Sequence, residues 1–554
     1  MPPRPSQSTL ALAAVTLSSL MFGLEISSVP VILPTLERTL GADFVQLQWV
    51  MNAYTIAVAT VLMAAGALAD RFGRKRLFLI GVVAFGLTSL VCGITHDVAV
   101  LIGARFLQGV AGGVMLICQV AILSHQFQDA RARSSAFAWW GVIFGIGLGF
   151  GPIIGSGIVA VAGWEWVFLV HVALALVTFT LGLIGVRESK DPQASRLDIA
   201  GILTLSTAVL TLTAFITEGP RLGFASPLAL AILATSVVGL IAFVVVERRV
   251  AHPMFDFSVF RSPAFSGALV GAVGMNLSFW PLIIYLPIWF QAGLDFSPIG
   301  VGLTLLLYTL PTLIAPPLAE RLSLRFGPGL VIPLGLFIIG AGLIAMRLSL
   351  EMPGAGWLLL APGLLLAGAG LGFTNTPVTN TATGAVSSDR AGMASGMDMS
   401  ARMITLAINI AAMGAILFNG VLNHLKGSVM ATAVDLHLAA ERISAGNLQS
   451  GVATNLARET LSHGFGLVMI YGGIGCWILT AASAVIFRKR RVADQAASDP
   501  ADTPHRHKTK QWCKGEDAEQ PARRACGSRR PARIDQAPGI GHHSRERGAH
   551  GRRE

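Results

Sequence analysis

Fourteen long apolar runs constrain this chain more than any other feature of its sequence. A helix needs about 20 consecutive apolar residues to cross the roughly 30 Å hydrocarbon core of a bilayer. The runs lie near residues 10–33, 46–68, 77–95, 98–122, 135–161, 165–186, 198–217, 226–246, 264–290, 299–319, 329–346, 357–380, 401–422 and 463–487. We therefore expect an all-α integral membrane protein with fourteen transmembrane helices.

Charge is scarce and unevenly placed. Only 13% of the residues are charged and the mean hydropathy is +0.65, whereas a soluble protein carries about a quarter charged residues. The net charge of +11 is concentrated after residue 487, where 17 Lys and Arg stand against 9 Asp and Glu. Nucleic-acid binding needs a basic face on a folded module, so we expect no nucleic-acid partner.

The segment 488–554 has few apolar residues and no periodicity, so we predict a disordered basic tail. Four of its residues could be combined on paper into a metal site: His505, His507, Cys513 and Cys526. An unstructured tail explains the same residues more simply, and we predict no metal site.

The distribution of Lys and Arg predicts the orientation. One set of loops holds sixteen of these residues and the opposite set holds six. Positively charged loops stay in the cytoplasm, so both termini are predicted to be cytoplasmic, in a membrane that the compact loops suggest is a bacterial inner membrane. The predicted segments are a cytoplasmic N-terminus (1–9), a six-helix bundle (10–186), a linker with two inserted helices (187–262), a second six-helix bundle (263–487, with a long periplasmic loop at 423–462) and the tail (488–554).

An internal repeat supports two related bundles. The segment from Gly66 to Arg71 recurs 250 residues later as the segment from Pro316 to Arg321, and Phe-Gly follows both copies. Two halves related in this way place the substrate path at their interface, near the middle of the bilayer.

The first copy, Gly66-Ala-Leu-Ala-Asp70-Arg71-Phe-Gly73-Arg74, resembles the signature loop between helices two and three of the major facilitator superfamily. Its glycines allow a tight turn, and Asp70 can cap a helix N-terminus across the two halves. Such a contact would latch one conformation. A simple positively charged anchor with a glycine turn is the alternative explanation.

Two further motifs fit the same family. The run from Leu101 to Gly113 is similar to the fourth-helix motif, and its Arg105 lies inside a span, where a charge costs at least about 2.5–3.5 kcal/mol. The resemblance implies a role in proton transfer; a purely structural arginine is the alternative. The run from Gly147 to Gly157 looks like the antiporter motif, carried by Gly147, Gly151, Pro152 and Gly155. It makes a thin helix face against which a partner helix can rock, although small residues at these positions would also suit ordinary packing.

Short motifs resemble the fourteen-span drug:proton antiporter branch over about residues 10–487. They include Gln48-Trp49-Val50, Leu197-Asp198, His252-Pro253 and Phe290-Gln291. That branch has Asp in the first span where this chain has Glu25, and often Asn where it has Pro30. A carboxylate within a span must be protonated, paired or in a wet cavity. Glu25 is thus predicted to bind a proton or cation; a fixed pair with Arg105 or another polar group, or packing, remains an alternative.

Other polar and aromatic residues within the spans are candidates for lining a substrate cavity: Gln119, Asn276, Trp280, Tyr285 and Asn375. Each polar one could equally form a hydrogen bond between helices, and Trp or Tyr near span ends could form an interfacial belt.

These observations predict a secondary active transporter that exports small amphipathic or lipophilic compounds in exchange for protons. We expect it to need no cofactor, to work as a monomer in the lipid bilayer and not to be an enzyme; the sequence does not identify a periplasmic adaptor. Two alternatives remain: a dedicated exporter of one metabolite, lipid or siderophore, and a membrane sensor or accessory subunit that no longer transports.

Overall fold

A computed structural model describes residues 5–190, 198–250, 257–352, 357–386, 391–427, 435–449 and 452–498. The described chain contains fourteen helices long and apolar enough to cross a membrane, so the predicted fourteen-span fold is confirmed. The tail residues 499–554 lie outside the described part, and with them the four His and Cys residues considered above as a metal site.

The helices follow one another with short connections. They are α1 (Pro5–Leu40), α2 (Phe44–Phe72), α3 (Arg74–Ile94), α4 (Val98–Gln126), α5 (Ala130–Ala162), α6 (Glu165–Gly185), α7 (Ile199–Leu222), α8 (Pro227–Arg249), α9 (Pro263–Ile288), α10 (Pro298–Thr309), α11 (Pro311–Ile314), α12 (Pro316–Phe326), α13 (Pro328–Ser349), α14 (Trp357–Gly384), α15 (Ala391–Lys426), α16 (Leu436–Ala445) and α17 (Thr454–Ser498). A 3₁₀ turn (Phe257–Arg261) precedes α9, and a π turn (Trp289–Gly293) follows it.

One span is divided into three helices by prolines. Helices α10, α11 and α12 together form the span Pro298–Phe326. Pro311 and Pro316 begin α11 and α12, because proline has no N–H for the helix ladder and its ring crowds the preceding turn. The span therefore consists of three short helices in series rather than one continuous helix.

Helices pack closely within each half, and one cluster of buried apolar residues continues from the first half into the second. In the first half α1 packs on α4, α5 and α6, while α3 packs on α4 and α6. In the second half α13 packs on α14, and α9 packs on α14 and α15. Small residues allow close approach: a Cβ at Gly342 would lie 2.6 Å from the backbone nitrogen of Ala367. Helices in lipid associate through such close packing, because the hydrophobic effect does not drive one apolar helix onto another there.

The inserted pair α7 and α8 packs beside both halves. Helix α7 contacts α2 of the first half and α15 of the second. An apolar cluster joins Ile56, Leu205, Val209, Phe243 and Ala407. In addition, the Trp49 indole donates a hydrogen bond to Glu218 over 3.0 Å. The inserted pair thus covers the seam between α2 and α15.

Candidate functional site

A buried ion pair joins the two charged residues that the sequence places inside the first four spans. Glu25 on α1 and Arg105 on α4 are each fully buried, and the Arg105 guanidinium donates to Glu25 Oε1. Opposite charges compensate each other in a low-dielectric setting only when they are paired and hydrogen-bonded. The structure therefore brings together the two residues of the predicted proton-coupling site, whose coupling role stays a prediction.

Arg105 is fixed from three further directions. Its Nε donates to the carbonyl oxygen of Val50 over 3.0 Å and its Nη1 to Gln108 Oε1 over 2.7 Å. The guanidinium carbon lies 4.5 Å from the centre of the Tyr54 ring, a cation–π geometry. Gln108 is held in turn by donating to Ser89 over 2.8 Å. The guanidinium is thus anchored to α2 and α4 as well as to the carboxylate.

A third ionisable side chain completes the cluster. His171 on α6 is 1% exposed, and its Nδ1 lies 3.5 Å from Glu25 Oε2. The sequence showed His171 only as one polar residue within a span. An ionisable residue at membrane depth is by default a functional candidate, and that signal could have placed His171 beside Glu25 in importance.

The glycine stripe of the antiporter motif packs directly on α1. A Cβ at Gly147 would lie 2.9 Å from the Leu20 carbonyl oxygen, and one at Gly155 would lie 2.8 Å from Ser28 Cβ. At Gly151 a Cβ would overlap the Ser27 hydroxyl. Pro152 lies within the same helix, α5. The stripe thus lets α5 approach the helix that carries Glu25.

The opposite face of α5 meets the second half. The Thr309 hydroxyl on α10 donates to the Gly149 carbonyl, and a Cβ at Gly302 would lie 2.8 Å from Ile153 Cα. Leu313 fits against Gly145 and Gly149. The antiporter motif therefore lies in a helix held between α1 of its own half and α10–α11 of the other.

The predicted latch loop is held by Glu188, which lies outside the loop motif and follows α6 in the chain. Gly73 has a φ of +116° between α2 and α3, and the Glu188 carboxylate accepts from the backbone N–H groups of Lys75 and Arg76 over 3.1 and 3.2 Å. The Arg74 N–H donates to the Ser189 carbonyl. Glu188 thus caps the N-terminus of α3. Its carboxylate oxygens accept from backbone N–H groups of the first helical turn, which have no partner within the helix.

The remaining latch residues occupy different settings. Gly66 has room, because a Cβ there would meet only Ile117 at 3.6 Å. Arg71 is exposed, with its guanidinium carbon 5.5 Å from the Phe72 ring centre. The Asp70 side chain lies outside the described side chains, so its predicted contact across the halves stays a prediction.

The candidate cavity residues do not converge on one point. Gln119 donates to Ser18 and accepts from Trp140, Asn276 bonds to the Ala272 carbonyl of its own helix, and Tyr285 donates to the Ile410 carbonyl. Trp280 is half-buried beside Phe279, and Asn375 accepts from Arg402. These bonds occupy polar atoms of Gln119, Asn276, Tyr285 and Asn375 in this conformation, and substrate contact stays a prediction for all five.

A polar cavity of about 1030 Å³ lies at the end of the bundle that the charge bias predicts to face outward. Charged residues of α1, the α1–α2 turn, α7 and α16 line it: Glu37, Arg38, Asp43, Arg221, Glu441 and Arg442. Hydrogen bonds cross between segments there, with Arg38 donating to Gln291 over 3.3 Å and Asn447 donating to Glu37 over 2.7 Å. The two halves are thus in polar contact at this end.

Comparison with known proteins identifies the lineage. The family described as Major Facilitator Superfamily matches residues 15–410. The multidrug resistance protein Stp of Mycobacterium tuberculosis is 33% identical over 408 residues, covering 74% of this chain and 75% of that protein. The tetracenomycin C resistance and export protein of Streptomyces glaucescens is 28% identical over 513 residues, covering 89% and 94%.

A solved structure agrees on the fold. The bacterial homologue of the human lysosomal transporter Spinster superposes with a TM-score of 0.57 at 13% identity, covering 88% of this chain and 98% of that one. At this identity the likeness concerns the arrangement of helices.

Proposed function

Because the chain belongs to the Major Facilitator Superfamily of membrane transporters, we propose that it exports small amphipathic or lipophilic compounds, drugs among them, by proton-coupled antiport. The relatives named for multidrug resistance and for antibiotic export support the substrate class. The single observation that carries the coupling is the Glu25–Arg105 pair, a fully buried carboxylate held by a fully buried guanidinium between α1 and α4.

The buried pair can respond to a second ligand because Arg105 donates to Oε1 of the carboxylate, while Oε2 has no hydrogen-bond partner in the described part of the chain. A proton or a cationic group that binds Glu25 weakens its attraction to Arg105, and the two helices can then shift relative to each other. In the proposed cycle the inward-open carrier takes substrate from the cytoplasm or the inner leaflet. It then rocks outward, exchanges substrate for a proton and returns.

The seam at α5 fits this rocking. Gly149 and Gly302 let α5 and α10 lie close together, with Thr309 bonded to the Gly149 carbonyl. No salt bridge joins these two helices where the structure describes them, so their surfaces can separate at low cost. One charge moving through about 100 mV releases about 2.3 kcal/mol. At about 1.4 kcal/mol per tenfold, this supports a little under two decades of concentration gradient.

We also propose the setting in which the carrier works: a bacterial inner membrane, with both termini in the cytoplasm. A monomer suffices, since each half supplies one wall of the seam. Its partners are protons, the transported small molecule and the surrounding lipid.

A dedicated exporter of one metabolite is the second candidate. It is favoured by the relative from Streptomyces glaucescens, which is named for tetracenomycin C resistance and export.

Everted membrane vesicles, acidified inside, test the proposal directly. Uptake of ethidium, tetraphenylphosphonium and a series of neutral drugs is followed together with the proton efflux that each compound induces. Wild type should take up at least one compound with proton efflux, and Glu25→Gln should abolish both at matched expression. Glu351→Gln is the matched control, because that carboxylate is 61% exposed and pairs with Arg347 at the end of α13, away from the buried cluster.

The outcomes separate the candidates. Proton-linked uptake of a single compound would favour the dedicated exporter, and uptake without proton movement would contradict antiport. Normal coupling in Glu25→Gln would show that the carboxylate is structural.

A further inference from the structure

His171 is a buried ionisable residue next to the Glu25–Arg105 pair, and the proposed cycle gives it no role. It is buried on α6, packs with its ring centre 5.7 Å from that of Phe85 on α3, and approaches the free side of the carboxylate, since Nδ1 is 3.5 Å from Glu25 Oε2. Arg105 occupies the other oxygen, Oε1. Among the described residues, Oε2 has no hydrogen-bond partner. The carboxylate thus separates a permanent cation from a titratable one.

Both nitrogens of the His171 ring face oxygen atoms that only accept hydrogen bonds. Nδ1 lies 3.0 Å from the Val167 carbonyl oxygen, and Nε2 lies 3.2 Å from the Met21 carbonyl oxygen. A neutral imidazole carries one N–H and one lone pair, whereas the imidazolium carries two N–H groups. In the neutral ring one lone pair therefore points at a carbonyl oxygen, and only the protonated ring can donate to both carbonyls.

The net charge of the cluster changes by one when His171 gains or loses a proton. Arg105 and Glu25 cancel each other, so a proton on His171 is the one charge that the site gains or loses while that pair stays intact. The other titratable groups around the cluster are Tyr54 on α2 and Cys92 on α3, both neutral in their ordinary forms at pH 7. The imidazolium is stabilised by the carboxylate oxygen and by the two carbonyl oxygens.

We propose that His171 is the proton-binding residue of the coupling site, holding the transported proton opposite Glu25 Oε2 while Arg105 stays on Oε1. A proton from the outer side binds the lone pair of the neutral ring and forms the imidazolium. Release toward the inner side restores the lone pair, so one proton enters and one leaves per cycle. This inference rests on the proposed proton coupling and assigns the site at which the proton resides.

The placement also links protonation to helix movement. His171 bonds across helices to the Met21 carbonyl of α1, one turn from Glu25 and directly beside Leu20, where Gly147 of α5 touches α1. Loss of the proton from Nδ1 removes the cation that faces Glu25 Oε2 on α1 and leaves a lone pair against the Val167 carbonyl oxygen. The position of α1 therefore depends on the charge of His171, in the same turns of α1 whose neighbouring face packs against α5.

Nitrogen-15 NMR of histidine-labelled protein in lipid nanodiscs tests the inference without any substrate. The wild-type spectrum at pH 6 should contain an imidazolium signal that is missing from His171→Asn and weakened in Glu25→Gln. His125→Asn is the matched control, because His125 is exposed at the end of α4 in the same half. A His171 signal that stays that of a neutral ring down to pH 5 would overturn the inference.

Transport in vesicles supplies the second readout. His171→Asn should reduce proton efflux per transported ethidium at least tenfold and flatten the pH profile, whereas the control His125→Asn should leave both at their wild-type values. A variant with the wild-type proton efflux and pH profile would show that His171 only packs. If wild type moves ethidium without protons, the proposed antiport itself fails, and the inference fails with it; the NMR result still reports whether His171 is charged.

Discussion

The Thr309 hydroxyl on α10 donates a hydrogen bond to the Gly149 carbonyl on α5, and this bond joins the two halves at the glycine-rich face of the antiporter motif. Two helical turns before Thr309, Gly302 packs so closely on the same helix that a Cβ there would lie 2.8 Å from Ile153 Cα. The seam therefore depends on residues without side chains or with small ones, on both of its walls.

Adding one methyl group at Gly302 should hold the seam open. The new Cβ would lie 2.8 Å from both Ile153 Cα and Ser156 Oγ, and a backbone atom cannot move aside as a side chain can. Overpacking costs about 1–3 kcal/mol, so Gly302→Ala should shift the conformational equilibrium by roughly 5- to 150-fold toward the separated state.

Spin-label distances between Val161 and Ile299, both exposed near the ends of α5 and α10, measure that shift. Gly157→Ala is the control on the same helix, since a Cβ there meets nothing within 4 Å. An unchanged distance distribution in Gly302→Ala would contradict the role assigned to this contact.

The two copies of the repeat predict unequal effects of the same substitution. Gly73 and Gly327 both have positive φ, at +116° and +84°, so alanine is strained at either. Only at Gly73 would the new Cβ also collide with Glu188, at 2.7 Å. Gly73→Ala should therefore lower the melting temperature in detergent more than Gly327→Ala does.

Glu188→Ala tests the cap on its own. Loss of a helix cap costs about 0.5–2 kcal/mol, and the Gly73→Ala penalty beyond that of Gly327→Ala should shrink in the Glu188→Ala background. Equal melting temperatures for the two alanine variants would refute the contact with Glu188.

A second buried ion pair should govern the folding of the second half. Arg402 donates to Asp398 over 3.0 Å and to Thr379 over 3.0 Å, and it also contacts Asn375, linking α15 to α14. Arg402→Ala leaves Asp398, which is 2% exposed, without its cation. Removing one partner of a buried pair costs about 3–5 kcal/mol.

Folded yield and melting temperature after membrane extraction measure this loss. The double variant Arg402→Leu with Asp398→Leu should recover much of it, because an apolar pair of similar volume needs no compensation. A double variant as unstable as Arg402→Ala would show that the contacts to Asn375 and Thr379, not the charge balance, stabilise the site.

Docking of the surface helix α16 should weaken as the pH rises. Burial raises the pKa of Glu441 above its ordinary 4.5, and the carboxylates of Asp43 and Glu218 add to this, while Arg221 and His437 oppose it. A raised pKa means that the protonated form favours the docked state. Docking is thus strongest below about pH 4.5 and is lost as the pH passes through the raised pKa.

Fluorescence of an environment-sensitive label at Leu438, which is 44% exposed on α16, reports this docking. Glu441→Gln should remove the pH dependence and keep the helix docked at neutral pH. Glu459→Gln, whose side chain is 70% exposed, should behave as wild type. A pH response that persists in Glu441→Gln would assign it to another group.

The number and type of spans were determined by the sequence alone. The length of an apolar run can be read locally and compared directly with the number of helical residues that cross the bilayer. The repeat of Phe-Gly at 72–73 and 326–327 likewise predicted equivalent turns, and both glycines have positive φ. That Glu25 and Arg105 would each need a partner also followed from the sequence, since a charge within a span demands one.

Which residues meet was decided by the tertiary structure. His171 reaches Glu25 only because α6 packs on α1 with one particular rotation, and Glu188 reaches the N-terminus of α3 only because the chain turns back after α6. In the sequence the polar candidates Gln119, Asn276 and Tyr285 are simply polar side chains within apolar spans. In the structure each bonds to a different neighbour: Gln119 to Ser18, Asn276 to Ala272 and Tyr285 to Ile410. Rotation and tilt of a helix in lipid follow from its contacts with other helices, and those contacts join residues far apart in the chain.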